Sequence, residues 1–355
     1  MLAYPIYNSQ LFQMMENSCP SIRLRILSDF FEKKGDEFGT ELLSRVFRDP
    51  RVERVVAAQN GKGWFFNRFH GTDSTESAMR FLLEMGIPKE HKIIQQSSQA
   101  LIKASKEELL TGIGNPGWKL EKLGLSGSQT IRAWLLALAG KEEHSTVHQA
   151  VEHSIQRMAF AAGVDSFAAI TQQKGKFLYL AKDCPWPDLY TFRLLAATQG
   201  WRTVDNLSIV ESAIKAWIRL EPLPAFCGMH QGKLIAPAIF GMQQIILPFD
   251  VISDAQWMVW FHRMELLARL GMLKRVSTLT TYIHDFFAWL QPWQGWFGKS
   301  IQHTHFSRWG AYTGLMLEKD WRNPQRRQFD LTFRCLLIWQ FLEEKNSILE
   351  PDLNL

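Results

Sequence analysis

The sequence has few cysteines, no long apolar run and no strong charge bias, and each shortage removes a class of protein. Its 355 residues include four cysteines, none of them in a C-x-x-C pair, so neither a zinc ribbon nor a thioredoxin-like site is indicated. Single cysteines suit a reducing cytoplasm better than a disulfide-linked secreted domain. The most apolar stretch, Leu234 to Phe249, contains Pro237 and the pair Gln243-Gln244 and is too short and interrupted to span a bilayer.

The formal net charge of +5 is mild for a protein of this length. The densest basic cluster near the C-terminus is interspersed with acidic residues, so a salt-bridged helix face explains it more simply than a phosphate-binding surface. Its members are Arg308, Lys319, Arg322, Arg326, Arg327 and Arg334. Met1 to Pro5 contain no basic segment followed by an apolar run, so we expect no signal peptide and a cytoplasmic protein. Because the basic residues are mixed with acidic ones, nucleic acid is not an expected partner.

Aromatic residues are abundant, with 14 Trp and 24 Phe. Such large side chains fill an interior or line a pocket. The simpler interpretation is that they form the core, and the alternative is an aromatic-lined binding site.

Apolar residues recur with helical spacing, which predicts an all-α fold of stacked helical hairpins. Val204, Leu207, Val210, Ile214 and Trp217 repeat every three or four residues and mark one helix face. The same spacing occurs from Trp257 to Ala268 and from Phe329 to Phe341. Proline at helix starts predicts further helices near residues 20, 50 and 88. The segment from Phe177 to Leu180 is compatible with either helix or strand.

We predict one compact helical array over residues 1–355. The segment from Lys182 to Pro187 contains two prolines, which exclude a regular helix there. It is the best candidate for a junction between an N-terminal half (1–182) and a C-terminal half (188–355).

A Gly-Trp pair recurs four times, and the first copy belongs to a longer pattern. Residues 59–86 read QNGKGWFFNRFHGTDSTESAMRFLLEMG. This run resembles repeats of the terpenoid cyclase and protein prenyltransferase α/α-toroid superfamily, in which a glutamine and a Gly-aromatic loop precede a helix. The matching residues are Gln59, Gly61, Gly63, Trp64, Phe65, Gly71, Asp73, Thr75, Ala78, Leu82, Leu83 and Gly86.

The resemblance implies inner and outer helix layers around a central hollow, in a full or partial toroid, and a bacterial branch of that superfamily. We find no counterpart in this sequence of the aspartate-rich acid motif of the cyclases. The transferases' zinc ligands have no convincing equivalent either, although Cys227 and His230 are close in sequence. The likeness therefore predicts architecture and not a specific activity.

His70 and Asp73 form the most suggestive polar group. Asp73 or Thr72 is a plausible helix N-cap, with Glu76 three residues later completing a capping box. The functional alternative directs His70 and Asp73 into the hollow, as an acid and base or as partners of a polar ligand head.

Other candidates combine histidine or arginine with tryptophan. We predict a binding site drawn from eight residues, namely Trp64, His70, Asp73, Trp201, Arg202, Trp296, His303 and His305. His144 and His148 have a spacing that can bind zinc, but no third ligand is indicated. No metal or cofactor is expected, and no catalytic motif occurs.

Three functions are compatible with these features. The first is a binding protein, or an enzyme, that holds a largely apolar, isoprenoid-like molecule in an aromatic-lined hollow. It predicts a cavity surrounded by several of Trp64, His70, Trp201, Trp296 and His303. The second is a helical scaffold for protein–protein interaction, and the third is a nucleic-acid-binding helical repeat.

Overall fold

The computed structural model describes residues 7–31 and 37–343, and Met1 to Pro5 lie outside the described residues. Helices dominate the described part of the chain. They are α1 (Tyr7–Asn17), α2 (Pro20–Phe30), α3 (Glu37–Phe47), α4 (Pro50–Ala57), α5 (Thr75–Glu84), α6 (Lys92–Lys103), α7 (Pro116–Lys122), α8 (Ser128–Leu138), α9 (Ser145–Ala162), α10 (Leu189–Ala196), α11 (Val204–Leu220), α12 (Asp254–Arg269), α13 (Met272–Arg275), α14 (Ser277–Trp289), α15 (Thr304–Ser307) and α16 (Pro324–Glu343).

A small sheet corrects the all-α prediction. Its strands are β1 (Thr171–Lys174), β2 (Phe177–Leu180), β3 (Phe226–His230) and β4 (Lys233–Ile235). Two antiparallel hairpins, β1–β2 and β3–β4, join through a parallel β2–β3 pairing that places Leu178 opposite Phe226. The strands are too short to show an alternating pattern, so periodicity could not reveal them. The ambiguous segment 177–180 is a strand.

The helices predicted from periodicity are confirmed as α11, α12 and α16. Pro20 and Pro50 each occupy the first turn of a helix, as expected, because a proline there removes an N–H that has no intrahelical acceptor. Pro88 does not begin a helix. The next helix, α6, begins at Lys92 with His91 as its N-cap.

Four helices are buried on almost every side and form the interior of the array. All eight residues of α10 are buried, as are eight residues each of α5 and α8 and ten of α12. Consecutive members contact each other in the order α5, α8, α10, α12, and α16 then packs between α12 and α2. Helices α6, α9 and α11 pack against these or against one another. The described chain therefore contains four largely buried helices, α5, α8, α10 and α12, which we call the inner helices.

The aromatic excess forms packed core, as the simpler interpretation of the sequence predicted. Trp257 and Trp260 of α12 are fully buried. The Trp257 ring stacks on Trp289 at a centroid distance of 5.7 Å and meets Trp260 and Phe297 edge-on at 5.2 and 5.1 Å. These contacts fix α12 against α14 and the following loop.

The C-terminal basic residues are largely paired. Arg334 is only 2% exposed and its guanidinium lies 2.7 Å from Glu84, while Arg322 pairs with Asp320 and Arg326 with Glu318. These pairs agree with the salt-bridged helix face that the sequence favoured. Among the described residues, no helix is long and apolar enough to cross a membrane.

Candidate functional site

A cavity of about 730 Å³ lies between the inner helices. Its lining residues come from the C-terminal halves of α2, α5, α8, α10 and α12, with α3 and the α5–α6 loop at the side. Its aliphatic lining residues include Leu24, Leu43, Leu83, Ile87, Leu138 and Leu266, and charged or polar side chains form about half of the lining. Trp134 is the single Trp, Phe or Tyr in the lining, so the expected aromatic lining is wrong for this cavity.

One layer of residues forms the floor of the cavity, namely Arg80, Trp134, Arg193 and His262. Each is followed about one helical turn later by another lining residue, such as Glu84, Leu138 or Ala197. Exposure rises in the same direction, because the Arg193 side chain is 1% exposed and that of Glu84 is 21% exposed. The floor therefore lies deep and the ends of the helices form the rim.

Arg193 is fully engaged by neighbouring groups. Its Nη1 donates to the Ala311 carbonyl at 2.7 Å, and its Nε donates to His262 Nε2 at 3.3 Å. The guanidinium lies 4.7 Å from the ring centroid of Trp134. His262 and Trp134 therefore both lie against the positive charge of the Arg193 guanidinium.

His262 has a defined tautomer because its Nε2 accepts from Arg193, which carries only donors. Burial, together with the nearby Arg193 and Arg80, moves the pKa of His262 well below its ordinary value. The neutral ring therefore carries its proton on Nδ1. That buried Nδ1–H has no hydrogen-bond acceptor among the described residues.

Arg80 is 6% exposed and lacks a counter-ion. Its Nη2 donates to the carbonyls of Gly310 and Thr313, and its guanidinium lies 5.1 Å from the Trp309 ring centroid. No carboxylate of the described chain lies within 4.0 Å of it, and its Nε has no partner there. Burial, reinforced by Arg193, lowers the pKa of Arg80 to about 9.

A second polar group lies on the opposite side of the floor, and we call it the buried polar cluster: His70, Glu76, Tyr190 and Tyr312. His70 Nδ1 lies 2.5 Å from Glu76 Oε2, and the Tyr190 hydroxyl donates to Glu76 Oε1. Burial would raise the pKa of Glu76, but His70, Arg193 and the Tyr190 hydroxyl together lower it. Burial, with Glu76 next in importance, raises the pKa of both tyrosines. Glu76 is therefore the anion of this cluster.

The rim is a network of paired charges. Glu84 lies 2.7 Å from Arg334 and 3.2 Å from Arg25, and Arg25 also contacts Asp29. Burial would raise the pKa of Glu84, but Arg334 and Arg25 outweigh it and hold the pKa far below its usual value. Unlike Arg80, these groups therefore have their counter-ions within the protein.

The predicted cap of α5 is wrong. Ser74 is the N-cap and its partner is Ser77, whereas Asp73 is exposed and pairs with Arg54 at 2.8 Å. Glu76 is fully buried and serves the buried polar cluster instead of a capping box. His70 belongs to this cluster and Asp73 does not.

None of the eight predicted binding residues lines the cavity, so the expectation that they surround it does not hold. Trp64 is core and packs edge-on against Phe69, and Trp296 contacts Phe329. His303 caps α15 by accepting from the backbone N–H of His305. Their roles in ligand binding stay predictions.

Trp201 and Arg202 lie elsewhere. Trp201 lines a second cavity of about 660 Å³ beside α9, together with Gly200 and His148. Its indole N–H donates to the carbonyls of Leu195 and Thr198, which fixes the end of α10. Arg202 donates to the carbonyl of Arg269 at 2.7 Å.

The glycine of the first Gly-Trp pair has the role that its type suggests. Gly63 adopts a φ of +93°, and a Cβ there would lie 2.4 Å from the carbonyl oxygen of Gln96. Gln59 also reaches α6, donating to the carbonyl of Ile93 at 2.8 Å. The resembling run therefore anchors the loop before α5 to α6.

The sequence reasoning missed Arg80, Arg193 and His262. Arg80 and Arg193 each stand alone among apolar neighbours within an inner helix, in Met79-Arg80-Phe81 and Phe192-Arg193-Leu194, whereas His262 is followed by Arg263. A charged side chain in the middle of an otherwise buried helix is rarely tolerated without a partner or a function. That pattern was the available signal. No known protein-family model, no curated protein and no solved structure matches this chain.

Proposed function

We propose that this protein binds a small molecule with a largely apolar, isoprenoid-like body in the cavity between its inner helices. The supporting observation is the cavity itself, whose volume of about 730 Å³ and set of aliphatic lining residues match the usual properties of small-molecule sites. A few convergent polar groups at the floor, Arg80, Arg193 and His262, can orient such a ligand. A bound molecule would lie with its tail towards the aliphatic lining residues.

The proposal includes a toroidal arrangement of the helices, with the cavity as its central hollow. Contacts between the two ends of the described chain support it. The Tyr7 ring lies 5.1 Å from that of Trp339, and the backbone N–H of Cys19 donates to Glu318 Oε1 at 2.8 Å. The succession of contacts from α5 through α8, α10, α12 and α16 to α2, described above, agrees with a closed ring.

Native mass spectrometry of the purified protein, compared with a denatured and solvent-extracted sample, tests the proposal directly. We expect a co-purifying apolar mass that is released on denaturation. Titration with the neutral fluorescent probe N-phenyl-1-naphthylamine provides a second readout, because this probe brightens in apolar sites.

Filling the cavity makes the test specific. Ala197 is half-buried and lines the cavity, so Ala197→Phe is expected to abolish probe binding. Ala159→Phe, on an exposed face of α9, is the matched control and is expected to bind as the wild type does. Equal binding by both variants would place the probe elsewhere and refute the proposed site.

A further inference from the structure

We propose that the head group of the ligand is a carboxylate, and that it binds at the cavity floor between Arg80 and His262. This inference rests on the proposed function and specifies the chemical class of its ligand. The geometry that carries it is a buried guanidinium without a counter-ion beside a second buried donor without an acceptor.

The first step concerns charge. Arg80 is buried, and the carboxylates that are closest to it in the fold are already paired with other groups. Glu76 is held by His70, Tyr190 and Arg193. Glu84 is held by Arg334 and Arg25. A buried cation without a partner is strongly unfavourable, so an anion that enters the cavity would find a site that the protein itself leaves uncompensated.

The second step concerns hydrogen bonds. Arg80 Nε and His262 Nδ1 are both buried donors without acceptors in the described chain. Since Nε2 of His262 already accepts from Arg193, its Nδ1 offers a proton and cannot accept one. The partner that satisfies both groups must therefore supply acceptor oxygens. A carboxylate has two such oxygens and also neutralises the guanidinium.

The third step limits the ligand to a single negative charge. Arg193 is shared with Glu76, at 3.7 Å, so only Arg80 lacks compensation at the floor. The lining carries four carboxylates, those of Asp29, Glu84, Glu90 and Glu265, against five cationic side chains, those of Arg25, Arg80, Lys89, Arg193 and Arg269. The balance is one positive charge, which a ligand with one negative charge neutralises and a diphosphate exceeds. The site therefore favours a carboxylate over a diphosphate.

Three ligands with the same C15 chain test the inference, namely farnesoic acid, farnesol and farnesyl diphosphate. Each is titrated by isothermal calorimetry near neutral pH, where the acid is ionised. We expect the acid to bind about tenfold or more tightly than the alcohol, because a hydrogen bond to a charged group is worth more than a neutral one. We also expect the acid to bind more tightly than the diphosphate.

The outcomes separate the two proposals. If the alcohol binds as tightly as the acid, or the diphosphate binds most tightly, the carboxylate assignment is overturned while the apolar site stands. If none of the three competes with N-phenyl-1-naphthylamine and the cavity-filling Ala197→Phe changes nothing, the proposed function itself fails.

Arg80→Met removes the guanidinium but keeps a long side chain. We expect the preference for the acid over the alcohol to disappear, with the affinity for the alcohol unchanged within about twofold. Arg54→Met is the matched control, because Arg54 is exposed on α4 and pairs with Asp73; it should retain the preference. A full preference in Arg80→Met would exclude Arg80 as the carboxylate partner.

The wild-type protein gives a readout that does not depend on how the variant folds. The preference for the acid should decline as the pH falls towards about 4, because the carboxyl group of the ligand then takes up a proton and loses its charge. The affinity for farnesol should stay constant over the same range. A preference that is independent of pH would contradict the role given to Arg80.

Discussion

Two polar regions meet at Arg193, and they differ in whether their buried groups have partners. In the buried polar cluster, Glu76 receives contacts from His70, Tyr190 and Arg193. At the cavity floor, Arg80 lacks a carboxylate and His262 Nδ1 lacks an acceptor. Both regions take residues from α5 and α10. The comparison indicates that the first region is compensated within the protein, whereas the second leaves donors open, as the proposed ligand site requires.

The largest expected effect comes from removing the anion of the buried polar cluster. Glu76→Gln leaves Arg193 without its carboxylate, and we expect the free energy of unfolding to fall by about 3–5 kcal/mol. Urea denaturation followed by circular dichroism measures this change. Glu53→Gln, on the exposed side of α4, is the control and should lie within about 0.5 kcal/mol of wild type. A mild effect of Glu76→Gln would show that the cluster does not depend on its anion.

A buried carboxylate at the contact between the chain ends provides the opposite case to Arg80. Burial and the nearby Asp330 raise the pKa of Glu318 to about 7 from 4.5. The folded state therefore binds a proton more readily than the unfolded state, so this contribution is complete below pH 4.5 and is lost as the pH rises through 7.

Glu318→Gln keeps an acceptor for the Cys19 N–H and removes the ionisable group. We expect this variant to be more stable than wild type at pH 8 by about 1–3 kcal/mol, and the two to converge near pH 4.5. Denaturation at the two pH values measures the difference. A constant difference across this range would mean that Glu318 titrates normally.

A smaller effect is expected for the stability of Arg80→Met. The variant loses hydrogen bonds to Gly310 and Thr313, but it also removes a buried charge that has no counter-ion. These effects oppose each other, so we expect a change of about 1 kcal/mol or less. Urea denaturation beside Glu76→Gln makes the comparison direct. A loss as large as that of Glu76→Gln would remove the distinction between the two regions.

The smallest expected effect is seen in the ¹⁵N resonance of His262. We expect the Nδ1 resonance of His262 in a ¹⁵N spectrum to be that of a protonated nitrogen, and to remain unchanged through the range in which an ordinary histidine titrates, near pH 6.5. Addition of farnesoic acid should shift this resonance, because its proton gains an acceptor. A proton on Nε2 instead would contradict the Arg193 hydrogen bond.

Local patterns predicted many helices correctly because a helix follows from neighbours along the chain. The repeats in α11, α12 and α16 are continuous, and Pro20 and Pro50 act within a single turn. The local sequence pattern predicted the sheet less strongly than the helices. Gln231 and Gly232 both adopt positive φ in the two-residue turn between β3 and β4, and a glycine in such a turn is typical of a tight hairpin. The pairing of β2 with β3 has no local signal.

The candidate site was predicted less well than the helices. His70 was predicted to face a ligand in the hollow, but it is buried and does not line the cavity. Asp73 is exposed, and Glu76 has a different role from the predicted cap. The number of tryptophans left a core and a pocket both open, with the core as the simpler interpretation, and Trp257 and Trp260 are packed core. Large aromatic side chains gain as much from filling an interior as from lining a cavity, so their number alone cannot distinguish the two.

The sequence by itself determined the helical character of the chain, several helix boundaries and the aromatic interior, because these depend on local propensity and on the spacing of apolar residues. Only the tertiary structure decided where the charges meet. Arg80, Arg193 and His262 come from three helices far apart in the chain, and no spacing rule relates them. Whether a buried group is balanced depends on what lies within a few ångströms of it, since electrostatic and hydrogen-bond energies are set by distance in space and not by separation along the chain.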